Sequence, residues 1–292
     1  MKSNMSNDIF FISDFFKKDL SRAGAENNDF VLLKELRKKY DITTKHSHLL
    51  DNIFLKEHAD KIFIFSNFVN VQKDVLDYCV ASKIKYIIYE HDHKYVSTRD
   101  PSPFRNFIIP QEYLINTSFY KHAKTVVCLS QICKEILETN LNIKHVHSIG
   151  CSLWLEETYD MLEELAQNKK TKQHAVLNSQ NKIKGTEQAI AYCKKNNITY
   201  ENISSDNHRE FLKKLSTYET LIFIPQVLET FSRLAIEAKC LNCRLITKPK
   251  LLGCSSEKIF NMSGPDLVQE LRIRKNNATK LFERLIEECK SI

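Results

Sequence analysis

The sequence predicts an α/β fold built on parallel sheets, and three observations carry that prediction. Short apolar runs rich in β-branched and aromatic residues recur at 9–12, 61–66, 85–89, 121–130 and 220–224, each of strand length. Stretches with apolar residues at helical spacing separate them, as 71–82 does between the second and third runs. A strand–helix–strand unit of that length pairs its strands in parallel. No fixed-period repeat or low-complexity tract interrupts the pattern.

Composition sets the outer bounds. The 292 residues, 42% hydrophobic and 27% charged, suit one large or two medium domains. No run of 18 apolar residues exists, so no transmembrane helix is expected. The N-terminus lacks the long apolar region and small-residue cleavage site of a signal peptide. Nine scattered cysteines, an odd number, suit a reducing cytoplasm rather than a disulfide framework. Cys240 and Cys243 form a lone C-x-x-C with no second pair to complete a zinc site, so they read as buried thiols. The net charge of +7 admits nucleic acid, anionic lipid or a phosphorylated substrate as partner. With only five glycines beside many Lys, Asn and Ile, the charge is partly compositional and selects none of them.

The elements follow in order. Residues 9–12 form the first strand. A helix over 26–40 carries Phe30, Leu33 and Leu36 on one face, with Asp29 near its start. Gly24, before that helix, lets the backbone approach a ligand closely. After the strands at 61–66 and 85–89 comes Glu90-His91-Asp92-His93. Residues just past the carboxyl ends of parallel strands line the crevice of such folds, and titratable groups there suit acid–base work. Residues 97–110, with three prolines and with Arg99 and Arg105, read as a loop over that crevice. A strand at 121–130, a helix at 131–139 and a strand at 145–148 lead to Ile149-Gly150-Cys151.

The second half opens with an acidic helix at 154–168, a polar linker at 169–173 and a strand at 174–178. A loop carrying Lys182, Lys184 and Gly185 then precedes a helix at 186–195. Strand 198–203 and helix 207–215 come before the central stretch, TLIFIPQVLETFSRLAIE, from 220 to 237. Pro225 stops its strand, Glu229 lies in the loop, and Phe231, Leu234, Ala235 and Ala238 recur at helical spacing. Thr230 or Ser232 can cap this helix by accepting from a first-turn amide. The free amides and the helix dipole make a site for an anion such as a diphosphate, and flanking carboxylates can hold the hydroxyls of a sugar or a ribose. A strand at 243–247, its exit loop at 248–253 and a long helix at 265–289 complete the chain.

Glu229 and Glu237 have seven residues between them, with Phe231 two after the first and Ala238 directly after the second. This resembles the E-x7-E signature of retaining glycosyltransferases of the GT-B fold, family 4, with Ser232 where Gly is usual. Ala23-Gly24-Ala25-Glu26 resembles that family's G-G-x-E loop, with Ala23 for the first Gly. His91-Asp92 resembles its His-Asp, and Lys184-Gly185 its Lys-Gly. Asn178 stands where an Arg is usual, so that Lys182 or Arg233 would have to supply the second positive charge. The segment at 149–151 matches the usual N-G-V-D crossing poorly. The matching features occur in family order across most of the chain.

The resemblance implies two Rossmann-like domains with parallel sheets facing across a cleft. Residues 1–150 would form the acceptor-side domain, 151–270 the nucleotide-sugar-binding domain, and 271–292 a helix crossing back. The implied function is retaining, metal-independent transfer of a hexose from a nucleotide-diphosphate sugar to a hydroxyl, with no resident cofactor. Implied catalytic residues are His91, which approaches the transferred sugar with Asp92 as orienting neighbour or His93 as substitute, Glu229 and Lys184. Implied donor-binding residues are Gly24, Lys184, Glu229, Thr230, Phe231, Ser232, Arg233 and Glu237. Glu26, Asp92, Arg99 and Arg105 face the acceptor, which is a glycan, a lipid-linked sugar or modified DNA, with peripheral membrane contact open. Two alternatives stand beside this: a non-catalytic sugar-nucleotide-binding module and a nucleotide-sugar epimerase on the same fold.

Overall fold

The structure is a computed structural model that describes residues 9–16 and 24–291. The chain divides into two compact units. One runs to Leu153 and takes up the chain again at Lys275; the other spans Trp154–Arg274.

The first unit holds six parallel strands: β1 (Ile9–Ser13), β2 (Ile42–His46), β3 (Ile62–Phe65), β4 (Lys85–Tyr89), β5 (Thr125–Cys128) and β6 (Val146–Ser148), in the order β2-β1-β3-β4-β5-β6. Its helices are α1 (Gly24–Leu36), α2 (Asn52–Glu57), α3 (Lys73–Ala81), α4 (Thr117–His122) and α5 (Gln131–Leu141). Strands β1 and β3 are buried at every position, as the central strands of a parallel sheet covered on both faces must be. That is why they read as continuous apolar runs. Strand β2, ITTKH, is a half-buried edge strand with no apolar run, and the sequence gives no sign of it. The strand expected over 121–130 is shorter. Lys121 and His122 end helix α4, whose Phe119 and Tyr120 are buried, and Phe119 stacks on Tyr86 with ring centroids 4.4 Å apart.

The second unit holds β7 (Lys172–Leu177), β8 (Glu201–Ile203), β9 (Tyr218–Ile222) and β10 (Arg244–Ile246), parallel in the order β10-β9-β7-β8. Its helices are α6 (Glu156–Leu165), α7 (Thr186–Lys195), α8 (His208–Leu215) and α9 (Arg233–Cys240). Helix α10 (Gly264–Lys290) begins in this unit and, from Lys275, belongs to the first. Its early turns carry Arg272, which reaches Asp160 at 2.8 Å and Glu163 at 3.1 Å. Its later turns set Phe282 edge-on to Tyr89, centroids 5.0 Å apart, and Glu287 accepts from the Tyr40 hydroxyl at 2.8 Å.

All nine cysteines are buried free thiols. Among the described residues no helix is long and apolar enough to cross a membrane.

Each sheet reverses its strand order once, between β1 and β3 in the first and between β7 and β9 in the second. In open parallel sheets the connections leave in opposite directions at such a point, which opens a crevice at the carboxyl ends of the two strands.

Candidate functional site

In the second unit that position is occupied by the loops after β7 and β9. The chain leaves β7, makes a single turn over Lys182–Lys184 and reaches Gly185 at φ +69°. A Cβ on Gly185 would lie 1.7 Å from the Ile224 carbonyl oxygen. Only glycine allows the two loops to approach this closely. The approach places Lys184 beside Glu229, with Nζ 2.6 Å from Oε1. The Lys184 side chain is 35% exposed and that of Glu229 is 10% exposed. Glu229 is fixed by its backbone: its amide donates to Leu251 O at 3.0 Å and its carbonyl accepts from Gly253 N at 2.7 Å. Phe231 is buried and its carbonyl accepts from Cys254 N. Thr230 lies between these two anchored residues, half-buried.

Ser232, rather than Thr230, is the N-cap of α9, but its hydroxyl bonds no helix amide. Its backbone sits at φ +70°, ψ +86°, in the left-handed region where glycine is favoured. The cap expected from the hydroxyl is therefore absent. Beyond it, Glu237 lies buried on α9, and its Oε1 accepts from Trp154 Nε1 at 2.7 Å and from His208 Nε2 at 3.0 Å. Arg233 stacks on the Trp154 ring at 4.4 Å and comes to 3.9 Å from the same oxygen. Burial pushes the Glu237 carboxyl up, but His208, Arg233 and the Trp154 hydrogen bond more than offset this and hold it below its ordinary value. Among the described residues, every hydrogen bond and ion pair of Glu229 and Glu237 uses Oε1. Each carboxylate is anchored by one oxygen and keeps Oε2 for another donor. Asn178 is exposed directly after β7, so no arginine stands there, and Lys182 is exposed.

In the first unit the carboxylate of Asp29, on α1, ties three strand ends together. It accepts from Ser13 Oγ at the end of β1 (3.1 Å), Ser66 Oγ after β3 (2.6 Å) and His91 Nε2 after β4 (3.0 Å). The partner of His91 is therefore Asp29, not Asp92. Asp92 turns instead to Lys94 Nζ at 2.6 Å and Arg99 Nη1 at 3.0 Å. The His91 side chain is 2% exposed, and its ring packs against Tyr89 with centroids 4.1 Å apart. Because the carboxylate accepts, Nε2 carries a proton, and a neutral His91 has its lone pair on Nδ1.

His93 does not stand in for His91: it is buried, with Nδ1 2.9 Å from the Tyr95 hydroxyl, and burial lowers its proton affinity. The segment is held from below by a buried ion pair. Lys94 Nζ donates to Glu90 Oε1 at 3.0 Å, and Tyr120 donates to Glu90 Oε2. Burial alone would neutralise both groups. Their attraction prevails, holding Glu90 down near about 2 and Lys94 above its usual value.

Glu26 is buried in the first turn of α1, Gly24 opens that helix, and Arg99 and Arg105 are exposed on the 97–110 loop. Ala23 lies outside the described residues. Sequence reasoning missed Trp154 and His208, which hold Glu237, and gave no role to Asp29, which holds His91. A solitary Trp before a helix and a His at a helix start were the available signals. Among the described residues no cluster of three or more His, Cys, Asp or Glu is arranged to hold a metal.

No protein-family model matches the chain, and no curated protein matches it. Solved structures do. Anabaena HepE (Alr3699) in complex with UDP and glucose superposes with a TM-score of 0.55 at 9% identity, covering 94% of this chain and 99% of that one. The same protein in complex with UDP-glucose gives a TM-score of 0.51 at 12% identity, covering 97% and 93%. An alpha-glucosyltransferase in complex with UDP-glucose and DNA containing an abasic site gives 0.49 at 10% identity, covering 97% and 93%. Over nearly its whole length, then, the chain has the α/β fold with two parallel sheets seen in GT-B glycosyltransferases.

Proposed function

We propose that this chain is a retaining glycosyltransferase that moves a hexose from a nucleotide-diphosphate sugar to a hydroxyl acceptor. The observation that carries the reading is the half-anchored pair Glu229 and Glu237 on either side of the α9 N-terminus, with Lys184 2.6 Å from the first. In this reading Oε2 of Glu237 accepts from the ribose hydroxyls and Oε2 of Glu229 from hydroxyls of the transferred sugar. The diphosphate lies at the helix mouth, where the dipole and first-turn amides favour an anion.

Breaking the bond from the anomeric carbon to the leaving oxygen builds negative charge on the diphosphate and positive charge on the sugar ring. Lys184 and the amides from Phe231 to Leu234 are aimed at the first charge, with Arg233 as a further cation. Fixed donors of this kind lower the barrier because they need no reorganisation. The acceptor oxygen bonds to the anomeric carbon on the face the diphosphate leaves, and the acceptor proton passes to the departing phosphate. We propose that these cations and amides serve without a metal; donor turnover unchanged by a chelator tests this. His91, held by Asp29, serves on the sugar side, and Glu26, Asp92, Arg99 and Arg105 on the acceptor side.

The neighbours support this reading. Anabaena HepE is described in complex with UDP-glucose and shares this fold. A non-catalytic sugar-nucleotide-binding module is the second reading, favoured by the exposed Asn178 in place of an arginine and by the burial of His91. A donor-hydrolysis screen with UDP-glucose, UDP-N-acetylglucosamine, GDP-mannose and ADP-glucose decides between them. Slow release of the nucleoside diphosphate from one donor supports the transferase, and tight binding without release supports the module.

A further inference from the structure

Three features meet at Ser232. It caps α9, a helix of eight residues. The first hydrogen bond within the helix runs from Ile236 N to Ser232 O at 3.3 Å, so the first-turn amides stand outside the helix ladder. The residue is 6% exposed, and its Oγ, with essentially no exposed surface, has no hydrogen-bond partner among the described residues. Its backbone is held at φ +70°.

Each of the last two features carries a cost that glycine would avoid. A buried hydroxyl without a partner loses its hydration and gains nothing in return. A side chain in the left-handed region is strained by its own Cβ. The serine is therefore disfavoured on both counts, and an anion at the helix mouth would recover the first. The charges nearby leave room for another donor beside Lys184, because position 178 is an uncharged asparagine.

We propose that the Ser232 hydroxyl donates a hydrogen bond to the diphosphate of a bound nucleoside diphosphate, supplementing the amides of α9 at a site short of one positive charge. This deepens the donor-site reading and rests on it.

The test is Ser232→Gly, titrated by calorimetry with UDP, uridine and inorganic pyrophosphate alongside wild type, together with thermal unfolding. The expected result is a melting temperature equal to or above wild type, since glycine relieves the backbone. UDP and pyrophosphate should each bind at least five-fold more weakly, while uridine binds as before. Ser232→Ala, which removes the hydroxyl but keeps the strained backbone, should reproduce the affinity loss without the gain in stability. UDP affinity within two-fold of wild type in both variants overturns the proposal and leaves the donor site standing. An equal loss for uridine also overturns it, because the damage then lies at the nucleoside. If wild type binds neither UDP, GDP nor ADP, the donor-site reading falls and this proposal with it.

Discussion

Replacing Gly185 with alanine tests whether close contact between two loops builds the site. The added methyl would lie 1.7 Å from the Ile224 carbonyl oxygen and 2.8 Å from its carbon. Both are backbone atoms, so no side-chain rotation relieves the clash. Real Cβ contacts essentially never fall under 3.0 Å, so the loops after β7 and β9 must part by more than 1 Å. Alanine at φ +69° adds about 1–2 kcal/mol of left-handed strain, and forced repacking of this kind adds about 1–3 kcal/mol. A loss of roughly 2–5 kcal/mol should lower the melting temperature by roughly 5–15 °C for units of this size. The same movement carries Lys184 away from Glu229, now 2.6 Å apart, beyond hydrogen-bond reach. Affinity for the preferred nucleotide among UDP, GDP and ADP should therefore fall by at least about ten-fold, equivalent to 1.4 kcal/mol.

Gly264→Ala is the control. Its φ is also positive, but the nearest atoms to its methyl would be the side-chain end of Asn242, at 2.6 Å, rather than backbone. It should cost stability and leave binding of that nucleotide intact. Differential scanning fluorimetry and calorimetry read both quantities. A Gly185→Ala protein with wild-type melting and wild-type nucleotide affinity would refute the proposed origin of the Lys184–Glu229 geometry.

Three other outcomes are expected. Glu237→Ala should weaken binding of the preferred nucleotide among UDP, GDP and ADP by about ten-fold or more, and should cost about 1–3 kcal/mol by stranding the buried Trp154 N–H; unchanged nucleotide affinity would remove the ribose role. His91→Ala should cut donor turnover far more than donor binding, and Asp29→Asn should follow it in the same direction, because an amide can present its N–H rather than its oxygen to Nε2 and so release the ring from one tautomer. Full turnover in the His91 variant would make the histidine a packing residue only.

Lys94→Met should cost about 3–5 kcal/mol in urea unfolding, since it leaves the Glu90 carboxylate buried without its cation. The pH dependence of this pair has a definite sign. Glu90, depressed to about 2, contributes stability that is full above the ordinary carboxyl value and lost as pH falls toward 2. Lys94, raised, contributes stability that is full below its ordinary value of 10.5 and lost as pH climbs past it. Wild type should therefore exceed Lys94→Met by the widest margin between neutral pH and about 10, with the margin narrowing as pH falls, because the unpaired Glu90 of the variant is relieved by protonation, and narrowing again as Lys94 titrates; a margin that grows toward low pH would contradict the pairing.

The alternation of strands and helices was legible in the sequence because its causes are local. A strand covered on both faces, such as β3 with Ile62, Phe63, Ile64 and Phe65, must be apolar throughout, and the backbone of Gly185 is constrained by its own turn. Lys184-Gly185 and Glu229 could be singled out because they resemble the family's Lys-Gly and E-x7-E motifs. What the linear chain could not state is which side chain answers which. Asp29 lies 62 residues from His91, and Trp154 lies 83 from Glu237, and nothing local ties either residue to its distant partner. The nearer pair, His91 and Asp92, suggested an interaction, but Asp92 is taken by Lys94 and Arg99 and His91 by Asp29. Only the packing of α1 over the ends of β1, β3 and β4 decided that Asp29 holds His91, and only the packing of Trp154 and α8 beside α9 decided that one oxygen of Glu237 is anchored and the other left over.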